Sequence, residues 1–172
     1  WYEFHDYPNE YRSWWGFEDL PEVDERNSAW QDFVVTGDNS VVKSWLRHGA
    51  SGWRLDVADE LPDDVLALIR KAAREEKSDA PIIGEVWEDA SNKISYGVRR
   101  KYFSHSELDS VMNYVYKNAI IAYVTGAIGG EDFEKEIMTI AENYPTDSLH
   151  SLMNSLSTHD TARILTCLSG AD

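Results

Sequence analysis

Cysteine is nearly absent: Cys167 stands alone among 172 residues. One thiol cannot close an internal disulfide, and a thiolate zinc site is excluded with it. Basic residues are scarce too. Sixteen Lys and Arg face thirty-one Asp and Glu, a formal charge of −15. Such a surface repels a phosphate backbone, so nucleic acid is excluded as a partner, and an anionic membrane for the same reason. No stretch approaches the roughly 18 consecutive apolar residues of a membrane span. Low-complexity tracts and fixed-period repeats are missing as well. The opening WYEFHDYPNEY has neither an initiator Met nor the basic, apolar pattern of a leader. It reads as a point inside a larger protein, which leaves the compartment open.

What is present is apolar material for a core, 42% of the chain, with seven Trp and nine Tyr. The length suits one domain. Residues 1–38 read as a long irregular loop, and the Trp14-Trp15-Gly16 cluster marks it as an ordered, binding-type one. Regular patterns begin after that. Asn39 or Ser40 can cap a helix that Gly49 ends, and residues 52–57 read as a strand. Pro62 opens a helix to about Lys77, with Val65, Leu66, Leu68, Ile69, Ala72 and Ala73 on its apolar stripe. A second strand is predicted at 81–87, and an irregular stretch with a helical turn at 91–106. A third strand follows at 108–114, helices at 115–125 and 131–143, a fourth strand at 152–158 and a helix from 161 to 168. Strands alternating with helices give an α/β fold with a parallel sheet. A closed (β/α)8 TIM barrel needs roughly 200–250 residues. Four strands make about half of one, or a small doubly wound sheet.

Polar residues recur at the carboxyl ends of these strands: Asp56, Glu85, Asn113 and the pair His159-Asp160. In parallel α/β architectures active sites sit along that edge. A carboxylate there is costly unless it is partnered. Arg54 and Asp56 lie two apart, so they share one face of their strand. That arrangement suits an ionised nucleophile, with a structural ion pair as the alternative. Glu85 sits among Ile82, Ile83, Val86 and Trp87, a drier setting that suits a proton donor. His159 can donate to a ligand or be a core histidine. Trp53 and Trp87 can be plain core.

The segment Gly52-Trp53-Arg54-Leu55-Asp56-Val57-Ala58-Asp59-Glu60 resembles the nucleophile segment of the α-amylase superfamily, glycoside hydrolase family 13. Gly84-Glu85-Val86-Trp87 resembles its acid/base segment, and Ser157-Thr158-His159-Asp160-Thr161 the segment of its third carboxylate. The order matches as well. Details from Leu20-Pro21-Glu22-Val23 to the Val-Met-Asn-Tyr stretch look most like the neopullulanase and cyclomaltodextrinase branch.

The resemblance implies a retaining α-glucosidic hydrolase acting on maltooligosaccharides, cyclodextrins, pullulan or starch. Asp56 would be the nucleophile, Glu85 the acid/base and Asp160 the transition-state stabiliser. Arg54, His159, Trp87, Glu60 and Asn113 would contact substrate. It also implies that residues 1–38 end a loop domain inserted after barrel strand three. Residues 39–172 would then hold barrel strands four to seven, stopping before strand eight. Half a barrel exposes two sheet edges, so a homo-oligomer is expected, and little activity in isolation is expected because the family's upstream site segment is not in this stretch. The branch favours a cytoplasmic over a secreted location. Calcium is common in the superfamily, but no motif here identifies a metal site. A non-catalytic sugar- or protein-binding relative is the alternative. Such relatives usually lose a carboxylate, and here all three are kept.

Overall fold

The computed structural model describes residues 1–104 and 107–169. The first 38 residues are less irregular than their composition suggests. They carry an antiparallel hairpin of β1 (Phe4–Asp6) and β2 (Glu10–Tyr11), then a single 3-10 turn at Trp14–Gly16. The short helix α1 (Ser28–Gln31) runs into a π turn at Asp32–Thr36. Asn27 caps α1 by accepting from the N–H groups of Ala29 and Trp30.

Helix α2 (Val41–Arg47) begins where expected, with Ser40 as its cap. The buried Ser40 hydroxyl also donates to the Val35 carbonyl, 2.9 Å away, which ties the π turn to the helix. Strand β3 (Trp53–Leu55) leads into a 3-10 turn at Ala58–Glu60 and helix α3 (Asp63–Glu76). Val65, Leu66, Ile69, Ala72 and Ala73 of α3 are buried as the 3.6-residue period predicts. Leu68 is only half-buried. Strand β4 (Ile82–Gly84) pairs parallel with β3 in the register Trp53↔Ile82, Arg54↔Ile83, Leu55↔Gly84.

Between residues 91 and 104 the chain forms a second hairpin, β5 (Ile94–Ser95) and β6 (Val98–Arg99), in place of the expected helical turn. Its two-residue turn, Tyr96-Gly97, has positive φ at both positions, which matches the twist of paired strands. Strand β7 (Ser110–Val111) adds to β4 in parallel, giving the order β3-β4-β7. The helices α4 (Tyr114–Val124), α5 (Gly130–Asn143), α6 (Thr146–His150) and α7 (Ile164–Leu168) follow.

The fourth predicted strand is not a strand. Residues 152–158 contribute a single parallel bridge, Met112↔Met153. Two hydrogen bonds frame it, Asn113 N–H to the Met153 carbonyl at 2.9 Å and Met153 N–H to the Val111 carbonyl at 3.1 Å. The segment is paired on one side only, and Met153 and Leu156 stay exposed, so little holds a longer ladder in register.

Tyr144 closes the core between α5 and α6, and its hydroxyl accepts the Ala90 N–H at 3.0 Å. Burial pushes this phenol up to about 12, against the opposing pull of the Ala90 bond. An unfolded tyrosine titrates near 10. The stability tied to the bound proton is therefore complete below that pH and is lost as pH rises toward 12. Between about pH 9 and 11 the expected loss is roughly 1 kcal/mol. Tyr144→Phe has no such proton, so its urea midpoint should fall less steeply over that range than the wild type's.

Candidate active site

The carboxyl ends of β3 and β4 open onto a cleft of about 640 Å³. Asp56, Glu85 and Asp160 all line it. Asp56 follows β3 directly and is exposed; Glu85 follows β4 directly and is 4% exposed. Arg54, one strand pair back on the Asp56 face, bridges the two. Its Nη1 donates to Asp56 Oδ1, and its Nη2 lies 3.1 Å from Glu85 Oε1. That second contact is a charge contact rather than an aligned hydrogen bond, since Nη2 is buried without a bonded acceptor. The Nε–H of Arg54 points at the Met112 sulfur, 3.2 Å away.

Glu85 is buried but in a polar setting, not the apolar one its neighbours in sequence suggest. Oε2 accepts the Val57 N–H at 2.9 Å, and Oε1 accepts the Trp87 Nε1–H at 3.0 Å. Ile82 and Val86 are turned into the core instead. The Val57 contact rests on a strained backbone, because Val57 has φ 40°, left-handed for a β-branched residue. Such a conformation costs on the order of 1–3 kcal/mol and is characteristic of functional sites. Here the strain aims one backbone donor at the buried glutamate.

Trp87 lies flat on Tyr114, with ring centroids 4.7 Å apart and an interplanar angle of 11°. About half of it remains exposed, leaving its outer face open to the cleft. Glu60 also lines the cleft. Its oxygens accept the Tyr96 hydroxyl at 2.6 and 2.7 Å, and Oε1 accepts the Trp15 Nε1–H at 3.3 Å.

Three residues predicted as substrate contacts, Arg54, Asn113 and His159, do not line the cleft; Arg54 lies behind it, engaged with the Asp56 and Glu85 carboxylates. Asn113 is the cap of α4: its Oδ1 accepts the Tyr116 N–H, and its Nδ2 donates to Asn154 Oδ1 at 2.9 Å. Its amide is spent on the α4 backbone and on the Asn154 side chain, and it does not line the cleft. His159 is largely exposed, with Nε2 3.1 Å from Asp160 Oδ2, and it reaches the cleft only through that carboxylate.

Lys93, Ser95 and Tyr96 line the cleft without having been predicted there. Lys93 pairs with Asp59 at 3.1 Å and with Glu88. Burial alone would lower its ammonium, but the two carboxylates outweigh that and hold it raised. Arg100 and Tyr102 fasten the same hairpin to the turn after β3 and to the start of α3: Arg100 donates from Nη1 to the Asp59 carbonyl at 2.6 Å and from Nε to Asp63 Oδ1 at 2.8 Å, and the Tyr102 hydroxyl donates to Asp59. The legible signal was Ile-Ser-Tyr-Gly-Val-Arg, two short β-prone pairs around a Tyr-Gly turn.

The full chain, residues 1–172, matches the family model of the alpha amylase catalytic domain. Amylopullulanase from Thermoanaerobacter thermohydrosulfuricus is 34% identical over 189 residues, covering 96% of this chain and 12% of that protein. Neopullulanase 2 from Thermoactinomyces vulgaris is 31% identical over 177 residues, covering 93% of this chain and 29% of that protein. A solved cyclomaltodextrinase structure superposes with a TM-score of 0.82 at 27% identity, covering 99% of this chain and 28% of that one. The chain thus spans 12% and 29% of the two relatives' lengths. By its family-model match over all residues, this chain belongs to the alpha-amylase catalytic-domain family.

Proposed function

We propose that the protein containing this chain is a retaining glycoside hydrolase cleaving α-glucosidic bonds, mainly α-1,4, through a covalent glycosyl-enzyme intermediate. The observation that carries this reading is the Arg54 guanidinium, which holds the Asp56 and Glu85 carboxyls side by side at one cleft. A retaining mechanism needs two carboxyls about 5–5.5 Å apart. Asp56 attacks the anomeric carbon while Glu85 hands a proton to the departing glycosidic oxygen, so one C–O bond forms as the other breaks. Glu85 then takes a proton from water, which displaces Asp56 and regenerates both carboxyls. Asp160 accepts hydrogen bonds from sugar hydroxyls and offsets positive charge as it builds on the ring. Trp87, backed by Tyr114, offers a flat face to an apolar side of a sugar. The relatives' names, amylopullulanase and neopullulanase, support an α-glucan oligosaccharide as the substrate.

We read β3, β4, β7 and the Met153 segment as strands four to seven of a (β/α)8 barrel. Residues 1–38 would be the end of the loop domain inserted before them. Both outer edges of this sheet lack a partner among the described residues. Residues 1–172 expressed alone should therefore self-associate through those edges, and should turn over glucan poorly for want of the site groups the upstream barrel strands supply. Sedimentation equilibrium checks this, and a monodisperse monomer would count against it. For the full-length protein, release of reducing ends from maltooligosaccharides, pullulan and starch is the test. Turnover is expected from the wild type and none from Asp56→Asn. A wild type that binds maltooligosaccharides without cleaving them would make it a non-catalytic relative.

A further inference from the structure

Asp160 stands on a segment that its own backbone barely holds. After the Met153 bridge the chain forms no ladder. From residue 154 to 161 the one backbone–backbone hydrogen bond among the described residues is a 3.4 Å contact inside the turn, Thr161 N–H to the Thr158 carbonyl. Side chains hold the turn instead. Thr158 Oγ1 accepts the Asp160 N–H at 3.3 Å, and Thr161 Oγ1 accepts the Thr158 N–H at 2.9 Å. The Tyr114 hydroxyl reaches Thr158 Oγ1 from outside the turn, at 3.3 Å. With that hydroxyl as donor every group has a use: Thr158 Oγ1 accepts twice, and its own proton goes to Thr161 Oγ1, 3.3 Å away. Tyr114 is 2% exposed and does not line the cleft, so it stands behind the site rather than in it. Its ring carries Trp87, whose Nε1–H donates to Glu85 Oε1. One buried tyrosine thus touches the supports of two carboxylates that lie far apart in sequence.

We infer that Tyr114 is a positioning residue that sets the Asp160 carboxylate relative to Glu85, holding the Thr158 turn with its hydroxyl and the Trp87 indole with its ring. The inference rests on the proposed glycosidase reading and deepens it. Asp160 offsets charge on the sugar only as that charge builds, so a displaced Asp160 weakens the transition state more than the bound substrate. Its side chain has the largely exposed His159 ring beside it, 3.1 Å away, which is a weak anchor. Tyr114 is itself well fixed. It opens α4, its N–H donates to the Met112 carbonyl at 3.0 Å, and Lys117 Nζ lies 5.6 Å from the centre of its ring. Asn113, the cap of the same helix, adds a second tie to this segment through Asn154. A buried tyrosine hydroxyl needs a partner in any case. What sets this one apart is that its partner, Thr158 Oγ1, also accepts the Asp160 N–H.

The test is a double-mutant cycle on the full-length enzyme with α-maltosyl fluoride, whose ready leaving group keeps weak variants measurable. Tyr114→Phe keeps the ring stack and removes the hydroxyl. It is expected to lower kcat/KM about tenfold, mainly through kcat. In an Asp160→Asn background the same change should cost less than about twofold, because the group it positions is already gone. Thr158→Val cuts the contact from the turn's side and should repeat both results. Thr158→Ser keeps the hydroxyl and should stay within about twofold of wild type. A tyrosine that only fills the core would cost as much in one background as in the other. Equal losses in the two backgrounds, or no loss from either Tyr114→Phe or Thr158→Val, with an active wild type would overturn the inference and leave the glycosidase reading intact. A wild type inactive on both α-maltosyl fluoride and maltooligosaccharides would overturn that reading, and this inference with it.

Discussion

Glu85→Gln in the full-length enzyme is expected to cut kcat on maltooligosaccharides by roughly 10²–10⁴-fold, the usual worth of a positioned acid/base. The substitution keeps shape but only one acceptor oxygen, so one of the Val57 and Trp87 contacts survives and the other is lost to the NH2 group, at a cost of about 1–3 kcal/mol that the fold should withstand. The loss should depend on the leaving group. Fluoride departs without a proton, so α-maltosyl fluoride should still glycosylate Asp56 in the variant. Release then stalls, because water needs the missing base. Azide needs none, and adding it should restore turnover with the glycosyl azide formed in retained configuration. Asp56→Asn should be inactive on both substrates and unmoved by azide. If Glu85→Gln lost as much on the fluoride plus azide as on maltooligosaccharides, Glu85 would not be the acid/base.

The second large effect concerns stability. Gly52 precedes β3 at the point where the parallel ladder with β4 begins, and the next residue's N–H donates to the Pro81 carbonyl at 2.9 Å. A Cβ on residue 52 would overlap the Pro81 carbonyl oxygen and sit 2.6 Å from Pro81 Cδ. The obstacle is backbone and a rigid ring, so no side chain can swing aside. Gly52→Ala should therefore cost about 3 kcal/mol, at the top of the range for overpacking. In a domain of this size that lowers Tm by roughly 10 °C. Gly130→Ala is the control, because a Cβ there meets nothing within 4 Å and the site is the first residue of α5. It should be neutral or slightly stabilising. A Gly52→Ala protein within 1 kcal/mol of wild type would show that the approach of β3 to Pro81 is looser than described.

The helices were legible because their signals are local. Pro62, the stripe from Val65 to Ala73 and the Ser40 cap lie within a few residues of what they determine. The strands read too long for a related reason. Their apolar runs continue past the last ladder pair, but Val57 turns left-handed and Glu85 faces the cleft, so the ladders stop at Leu55 and Gly84. The Met153 segment read as a strand because apolar alternation cannot tell a paired edge from a bare one.

At the site, Asp56 and Glu85 were legible because the ends of β3 and β4 converge by topology, whereas Asp160 reaches the same cleft from the irregular segment that follows the Met153 bridge. Lys93 and Tyr96 were not, since their place depends on a hairpin folding back 36 residues to Glu60 and 81 to Trp15. Asn113 looked like a strand-end ligand, yet the same position caps the helix that follows, and the backbone claimed it.

The account depends on Asp56 being the atom donor to the sugar. A 5-fluoro-α-glycosyl fluoride slows release of a covalent intermediate, so it can be trapped on the full-length enzyme, digested and located by mass spectrometry. The adduct is predicted on Asp56, with none formed by Asp56→Asn. An adduct on Glu85 or Asp160, or steady turnover of the reagent with inversion at the anomeric carbon, would contradict it.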